Sequence, residues 1–211
     1  MKPYYQDEWV TIYHGDCREI MPGITEKVDL VLTDPPYGID WAGHPLSTRQ
    51  WDTMASDSGL LNLRPILEMS CAVVAFGANY YPEQLPHRGR WICWDKRTPS
   101  GLADGMLGSP FELAWSNQKS GFDRIIRVLH GGAINADRGK RVHPTQKPLE
   151  VFRKIILWYS CKYATILDPF VGSGTTLRAA KDLGRKSIGI EIEEKYCEIA
   201  AKRCAQSVMR L

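Results

Sequence analysis

Short apolar segments, five or six residues long and bounded by polar or turn residues, recur along the chain. Seven of them predict β-strands, at residues 9–14, 28–33, 71–76, 90–95, 111–116, 164–168 and 187–191. Most are continuously apolar rather than alternating, which is typical of strands buried on both faces of a mainly parallel sheet. The segment RIIRVLH, at 124–130, is a candidate for an eighth, peripheral strand.

Helical patterns lie between several of these strands. They cover residues 148–161, 173–184 and 193–208. Alternation of strands and helices predicts a doubly wound α/β fold with helices on both faces of the sheet. Two regions lack periodicity, 38–60 and 97–110 together with 117–142, and are predicted to be long loops, which are often functional. With no repeat and no linker, the pattern predicts a single domain over residues 1–211.

Composition narrows the class of protein. The 211 residues are 44% hydrophobic, but no apolar window approaches the ~20 residues of a membrane span. The first residues, MKPYYQDEWV, lack the apolar region of a signal peptide. The six cysteines form no C-x-x-C pair and have no histidine at ligand spacing. These features predict a cytoplasmic protein with reduced thiols, no membrane span and no bound metal.

Positive charge is concentrated in one part of the chain. Residues 116–154 hold nine Lys and Arg against three acids, a net charge of +6 in a chain of net charge +3. Such a window suits contact with a phosphate backbone. It equally suits a solvated surface rich in basic residues, and charge alone leaves both interpretations open.

The segment ILDPFVGSGTT, at 166–176, runs from a predicted strand through a glycine loop into a predicted helix. Gly172 and Gly174 would let a ligand approach the main chain closely, and the helix N-terminus offers free N–H groups. The loop lacks the third glycine of G-x-G-x-x-G and the G-K-[ST] of a P-loop. Asp168 would repel a pyrophosphate but favour a cationic ligand such as S-adenosylmethionine. Glu191, 23 residues later, suits a ribose diol, a feature that NAD shares.

The segment TDPPYG, at 33–38, closes another buried strand. Asp34 and the Pro35 carbonyl could each accept a hydrogen bond from an exocyclic amino group, with Pro36 fixing the backbone. Tyr37 offers a face on which an extruded base could stack. Two such acceptors would free the nitrogen lone pair for attack on a methyl sulfonium.

Three motifs in this order, DPPYG, HPTQKP (143–148) and DPFVGSGTT (168–176), resemble those of the amino-group DNA methyltransferases. The order resembles the β-type arrangement of that family, in which the catalytic motif precedes the cofactor motif, and the similarity covers nearly the whole chain. The segments FGANYYP and RWICWDK are similar to those of small phage and prophage members. The resemblance implies transfer of a methyl group from S-adenosylmethionine to N6 of a flipped adenine in double-stranded DNA.

The resemblance also implies a fold. It is a circularly permuted class I methyltransferase, Rossmann-like, with a seven-stranded, mostly parallel sheet. The strands that carry the family's cofactor motifs would come last in this chain, and the strand ending in HGDC would come first. All the motifs would still meet at the carboxyl edge of the sheet.

Site residues follow from the same resemblance. The catalytic set is Asp34, Pro35, Pro36 and Tyr37. The cofactor set is Asp16, His143, Thr145, Lys147, Asp168, Pro169, Phe170, Gly172, Ser173, Gly174, Thr175 and Glu191. Few residues remain for a separate recognition domain, so DNA recognition is assigned to loops 38–60 and 117–142. The candidate DNA contacts are Arg49, Arg124, Arg127, Arg138 and Arg141.

Three alternatives stay open at this stage. The first is methylation of N4 of cytosine, because Asp34 favours adenine only by an imperfect correlation within the family. The second is a catalytically idle DNA-binding protein with the methyltransferase fold, although the sequence keeps Asp34, Tyr37 and the glycine pair. The third is a nicotinamide-dependent oxidoreductase, disfavoured by the missing glycine and by Asp168. The sequence leaves a homodimer open.

Overall fold

A computed structural model describes residues 1–38, 61–97, 109–119, 121–129 and 147–206. These residues form a nine-stranded sheet whose strand order is β1-β2-β9-β8-β3-β4-β6-β5-β7. The strands are β1 Tyr5–Gln6, β2 Val10–His14, β3 Leu30–Thr33, β4 Ala72–Phe76, β5 Arg90–Asp95, β6 Phe111–Ser116, β7 Arg124–Arg127, β8 Thr165–Asp168 and β9 Lys186–Glu191. The α-helices are α1 Cys17–Ile20, α2 Arg64–Leu67, α3 Leu149–Tyr159, α4 Thr175–Asp182 and α5 Glu194–Ala205.

The predicted α/β sheet is confirmed, but the described strands number nine rather than seven and form a mixed sheet. The seven principal segments and the peripheral segment at 124–130 all contain strands. The ninth strand, β1, was not predicted because a pair of residues is too short to show periodicity. It pairs antiparallel with β2, Tyr5 lying opposite Ile12. The other antiparallel pairs are β4 with β6 and β5 with β6.

Helices cover both faces of the sheet, as predicted. Leu30 and Leu32 of β3 pack with residues of α3 and α4 in one apolar cluster. Val31, between them, belongs to a second cluster with residues of α1 and α2. Each face of β3 is therefore buried, which explains why its sequence is continuously apolar. Helix α5 packs against β2 in a third cluster.

The strand directions bring the ends of distant segments to one edge of the sheet. β2, β9, β8, β3 and β4 are parallel neighbours. β6 runs antiparallel to β4, so its first residues lie at the edge where β4 ends. β5 and β7 again end at that edge. We call this edge, where β3 and β8 end, the carboxyl edge. Within the described residues, no helix is long and apolar enough to cross a membrane.

Candidate active site

Asp34 lies at the centre of the carboxyl edge, directly after β3. Its Oδ1 accepts a hydrogen bond from the Tyr37 hydroxyl, and its Oδ2 lies 2.5 Å from Lys147 Nζ. Pro35 is buried. The structure thus brings together one residue of TDPPYG and one of HPTQKP that are 113 positions apart.

Tyr37 is held from two further directions. Its ring stacks on Tyr80, with centroids 4.9 Å apart and planes inclined by 16°. It also lies against Gly77, where a Cβ would come within 1.9 Å of the ring. Burial, and then the negative charge of Asp34, raise the pKa of Tyr37 well above its ordinary value. The hydroxyl therefore stays protonated and remains a hydrogen-bond donor.

The predicted cofactor loop lies beside Asp34, after β8. Gly172 and Gly174 have φ of +50° and +79°, in the left-handed region that favours glycine. Gly174 also has Ala200 within 3.0 Å of any added Cβ. Glycine is thus required here both by backbone conformation and by close packing against α5. Phe170, Ser173 and Thr175 lie on the same loop or at the start of α4.

Glu191 ends β9 and faces this loop. Its Oε2 accepts a hydrogen bond from Gly172 N at 2.8 Å, and Oε1 accepts one from Glu193 N at 2.9 Å. Burial raises the pKa of Glu191, and those backbone donors partly oppose the shift. Asp16 follows β2 on the adjacent strand and caps α1 through Arg18 N. Hydrogen bonds from Arg18 hold the pKa of Asp16 below its ordinary value.

Asp168 takes a different place from the one its sequence context indicated. It is 3% exposed, and its carboxylate accepts hydrogen bonds from Thr33 Oγ1 at 2.8 Å and Thr176 Oγ1 at 2.5 Å. Phe170 N also donates to it, at 3.1 Å. Asp168 therefore joins the end of β3, next to Asp34, to the predicted cofactor loop and α4.

Burial raises the pKa of Asp168 to about 7, although the hydrogen bonds from Thr176 and Thr33 oppose the shift. The pKa of Asp168 is thus higher in the folded protein than in the unfolded chain. The resulting contribution to stability is full below the unfolded pKa and is lost as pH rises through the folded pKa. We expect the free energy of unfolding of wild type, relative to Asp168→Asn, to fall by at most about 1.4 kcal/mol per pH unit between about pH 4 and about pH 7. Urea denaturation of both proteins across this range measures the difference, and a constant difference would contradict the expectation.

Lys147, predicted to enclose the cofactor, contacts Asp34. It is 7% exposed, and Nζ also lies 3.3 Å from Glu112 Oε2. Glu112 in turn pairs with Lys96 at 2.5 Å. Sequence reasoning missed Glu112 and Lys96. A charged residue inside the otherwise apolar strand FELAWS was the signal that could have identified Glu112.

The predicted DNA contacts divide into three groups. Arg127 ends β7 at the carboxyl edge, is 68% exposed and lies 3.8 Å from Asp95. Arg124 begins β7 at the opposite edge, and its guanidinium stacks on Trp158, 4.6 Å from the ring centroid. Arg49, Arg138 and Arg141 lie outside the described residues, with most of loops 38–60 and 117–142. The predicted cofactor residues His143 and Thr145 also lie outside them.

Part of the basic window has structural partners. On α3, Arg153 pairs with Asp182 of α4, and Lys154 pairs with Glu150 one turn away. Together with Lys147, these residues account for positive charge that is paired with carboxylates of the protein. The six cysteines are free, and no cluster of three metal-ligating side chains occurs in the described parts of the chain.

This fold and this edge define the class of protein. The chain resembles the crystal structure of an M1.HpyAVI–SAM complex with a TM-score of 0.58 and 27% identity, covering 92% of this chain and 99% of that one. It resembles the PvuII DNA methyltransferase (cytosine-N4-specific) with a TM-score of 0.63, covering 99% of this chain and 91% of that one. At 15% identity the second likeness shows the fold alone. The fold is the α/β fold of class I methyltransferases.

Sequence comparison finds DNA methyltransferases among the proteins similar to this chain. Residues 108–202 match the family model of a DNA methylase. The Type II methyltransferase M.HinfI of Haemophilus influenzae is 28% identical over 255 residues, spanning 96% of this chain and 70% of the relative. The Type II methyltransferase M2.LlaDCHI of Lactococcus lactis subsp. cremoris is 29% identical over 246 residues, spanning 96% and 91%. The chain is thus similar to the N6-adenine/N4-cytosine DNA methyltransferases.

Proposed function

We propose that this protein transfers a methyl group from S-adenosylmethionine to N6 of adenine in double-stranded DNA, after the adenine has been flipped out of the helix. The observation that carries the proposal is the position of Asp34, at the end of β3 and joined to the cofactor loop through Thr33 and Asp168. A hydrogen-bond acceptor for the target amino group thus lies beside the loop that would hold the methyl donor. Incubation with labelled S-adenosylmethionine and DNA, followed by nucleoside analysis, tests it.

The residues present suit this cofactor. Gly172 and Gly174 keep side chains away from the loop, and the buried carboxylate of Glu191 holds that loop while keeping acceptor capacity for ribose hydroxyls. By the family resemblance, Asp16 on the neighbouring strand would contact the adenine of the cofactor. When bound, S-adenosylmethionine supplies an electrophilic methyl group on a sulfonium.

The target amino group would be held by TDPPYG. Asp34 accepts one amino hydrogen, and the Pro35 carbonyl is proposed to accept the other. The amino nitrogen would gain positive charge as its bond to the methyl carbon forms and the S–CH3 bond breaks. Until the nitrogen releases a proton, the negative charge of Asp34 would stabilise it, because this edge is partly buried. The stacked pair of Tyr37 and Tyr80 extends the aromatic surface beside Asp34, on which a flipped base would stack.

We further propose that the sheet is a circular permutation of the family's usual order. The strands that carry the cofactor motifs, β8 and β9, come last in the chain but lie in the sheet between β2 and β3. This is the arrangement expected if the family's first two strands were moved to the end of the chain. HPTQKP and α3 would then join the former termini. The strand order, which involves described residues alone, supports the permutation.

Adenine is favoured over cytosine by the aspartate at the first position of the catalytic motif. A relative at 15% identity, the PvuII enzyme, is cytosine-N4-specific, so the fold accommodates either base. Nucleoside analysis distinguishes the two, since N6-methyladenine and N4-methylcytosine separate chromatographically.

Of the two predicted DNA contacts that lie in the described residues, Arg127 is the one at the carboxyl edge, and it is proposed to contact the DNA backbone. Each phosphate neutralised contributes about 0.9 to the slope of log affinity against log salt. We expect Arg127→Gln to lower the magnitude of this slope by about that amount. Arg124→Gln removes an equal charge at the opposite edge and is the matched control, expected to leave the slope unchanged. Fluorescence anisotropy with labelled duplex at several salt concentrations measures both, and equal slopes for Arg127→Gln and wild type would contradict the assignment.

A further inference from the structure

Behind Asp34 lies a chain of four alternating charges built from separate parts of the sequence. Lys96 follows β5, Glu112 is the second residue of β6, and Lys147 precedes α3. Lys96 Nζ lies 2.5 Å from Glu112 Oε1, and Lys147 Nζ lies between Glu112 Oε2 at 3.3 Å and Asp34 Oδ2 at 2.5 Å. Lys147 is therefore shared by two carboxylates, one of which would act on the substrate.

The pKa directions fit a network in which Lys147 and Glu112 are both charged. Burial lowers the pKa of Lys147, but Asp34 and Glu112 more than offset this and leave it above its ordinary value. Burial likewise raises the pKa of Glu112, and Lys147 and Lys96 bring it below its ordinary value. A buried lysine is costly unless it is paired, and here two carboxylates compensate its charge.

The effect of Lys147 on Asp34 depends on the second ion pair that Lys147 makes, with Glu112. A lysine ammonium has three hydrogen-bond donors, and a carboxylate has about four lone-pair sites. With Glu112 present, Lys147 is held from the far side and divides its positive charge between two acceptors. Without Glu112, that charge would bear on Asp34 alone and weaken it as an acceptor for the amino group.

We propose that Glu112 is a positioning residue of this active site. By holding Lys147, it keeps Asp34 oriented toward the target amino group and keeps Asp34 a strong hydrogen-bond acceptor. Glu112 itself need not touch the substrate, because it acts through Lys147. The inference rests on the proposed function, since it assigns Glu112 to the methyl-transfer step. Within the described residues, the titratable groups that face Lys147 are Asp34, Glu112 and Tyr37, with Lys96 beyond Glu112.

The test compares single-turnover methyl transfer by wild type, Glu112→Gln and Glu112→Ala at saturating S-adenosylmethionine and DNA. We expect both variants to be about tenfold to a hundredfold slower, as for displacements of a reacting group near 1 Å. Their affinity for S-adenosylmethionine, measured by calorimetry, is expected to match wild type and also reports that each variant is folded. Glu150→Gln removes a carboxylate from an exposed ion pair on α3 and is the matched control, expected to keep the wild-type rate.

The dependence of rate on pH separates this role from a merely structural one. We expect the rate to fall at high pH, in an alkaline limb of the profile, as Lys147 loses the proton with which it holds Asp34. Removal of a negative neighbour lowers the pKa of Lys147, so this limb should move to lower pH in Glu112→Gln and Glu112→Ala. Glu112→Asp keeps the charge and should restore much of the limb. Wild-type rates and an unmoved limb in the two neutral variants would overturn the inference. A wild-type protein that transfers no methyl group would instead overturn the proposed function.

Discussion

Replacement of Asp34 by Asn is expected to slow methyl transfer by about 10²- to 10⁴-fold, the range typical of a positioned acid–base or charge-stabilising group. The amide preserves the shape of the side chain but carries no negative charge. Positive charge developing on the amino nitrogen then has no counter-charge beside it, and Lys147 is left with Glu112 as its carboxylate partner among the described residues. Because Asp34 is not among the residues proposed to hold the cofactor, affinity for S-adenosylmethionine should not change.

Single-turnover rates at saturating cofactor and DNA, together with calorimetric binding of S-adenosylmethionine, measure the two quantities separately. Asp29→Asn is the matched control. Asp29 directly precedes β3 at the edge opposite Asp34, where its carboxylate accepts a hydrogen bond from Thr165 N. The control should lose some stability but keep its transfer rate once folded. A wild-type transfer rate in Asp34→Asn would contradict the assigned role.

Replacement of Gly77 by Ala is expected to have the second largest effect on activity. Gly77 has φ of +69°, and an added methyl group would fall within 1.9 Å of the Tyr37 ring. The ring must move, which breaks its stacking on Tyr80 and the hydrogen bond from its hydroxyl to Asp34. We expect transfer to fall by about 10²-fold, as for a misplacement near 1 Å.

Gly184→Ala is the control that separates the clash with the Tyr37 ring from the cost of alanine at a positive φ. Gly184 has φ of +68°, almost the same as Gly77, but nothing lies within 4 Å of an added Cβ. Both variants should therefore lose about 1–2 kcal/mol of stability from the left-handed backbone, whereas Gly77→Ala alone should lose transfer activity. Thermal melts and transfer assays on the pair check this. Equal activity in the two variants would show that Gly77 does not position Tyr37.

The fold was largely predictable because the strands are buried on both faces. Such strands are continuous apolar runs, and residues 28–33 and 71–76 needed no tertiary information to be recognised. β1 was not predicted because it is a two-residue strand paired with β2 at the end of the sheet. Helices α1 and α2 were not predicted because they are also short: a four-residue helix shows little more than one turn of periodicity.

The site was predictable only where residues close in sequence carry the chemistry. TDPPYG and the glycine loop could be identified because strand ends gather at one edge. Contacts between distant segments could not be deduced from spacing, and the resemblance placed Lys147 at the cofactor rather than at Asp34. The hydrogen bond from Thr33 to Asp168 spans 135 positions and likewise gave Asp168 a linking role that its motif did not indicate.

One measurement tests the central proposal most directly. Wild-type protein is incubated with DNA and S-adenosylmethionine labelled in its methyl group, and the DNA is then digested to nucleosides and separated. We predict that the label elutes with N6-methyldeoxyadenosine. The Asp34→Asn variant should incorporate almost no label into DNA. Label in N4-methylcytosine would keep the enzyme class but overturn the choice of base. An absence of label from DNA with wild-type protein that binds both ligands would contradict the proposed function.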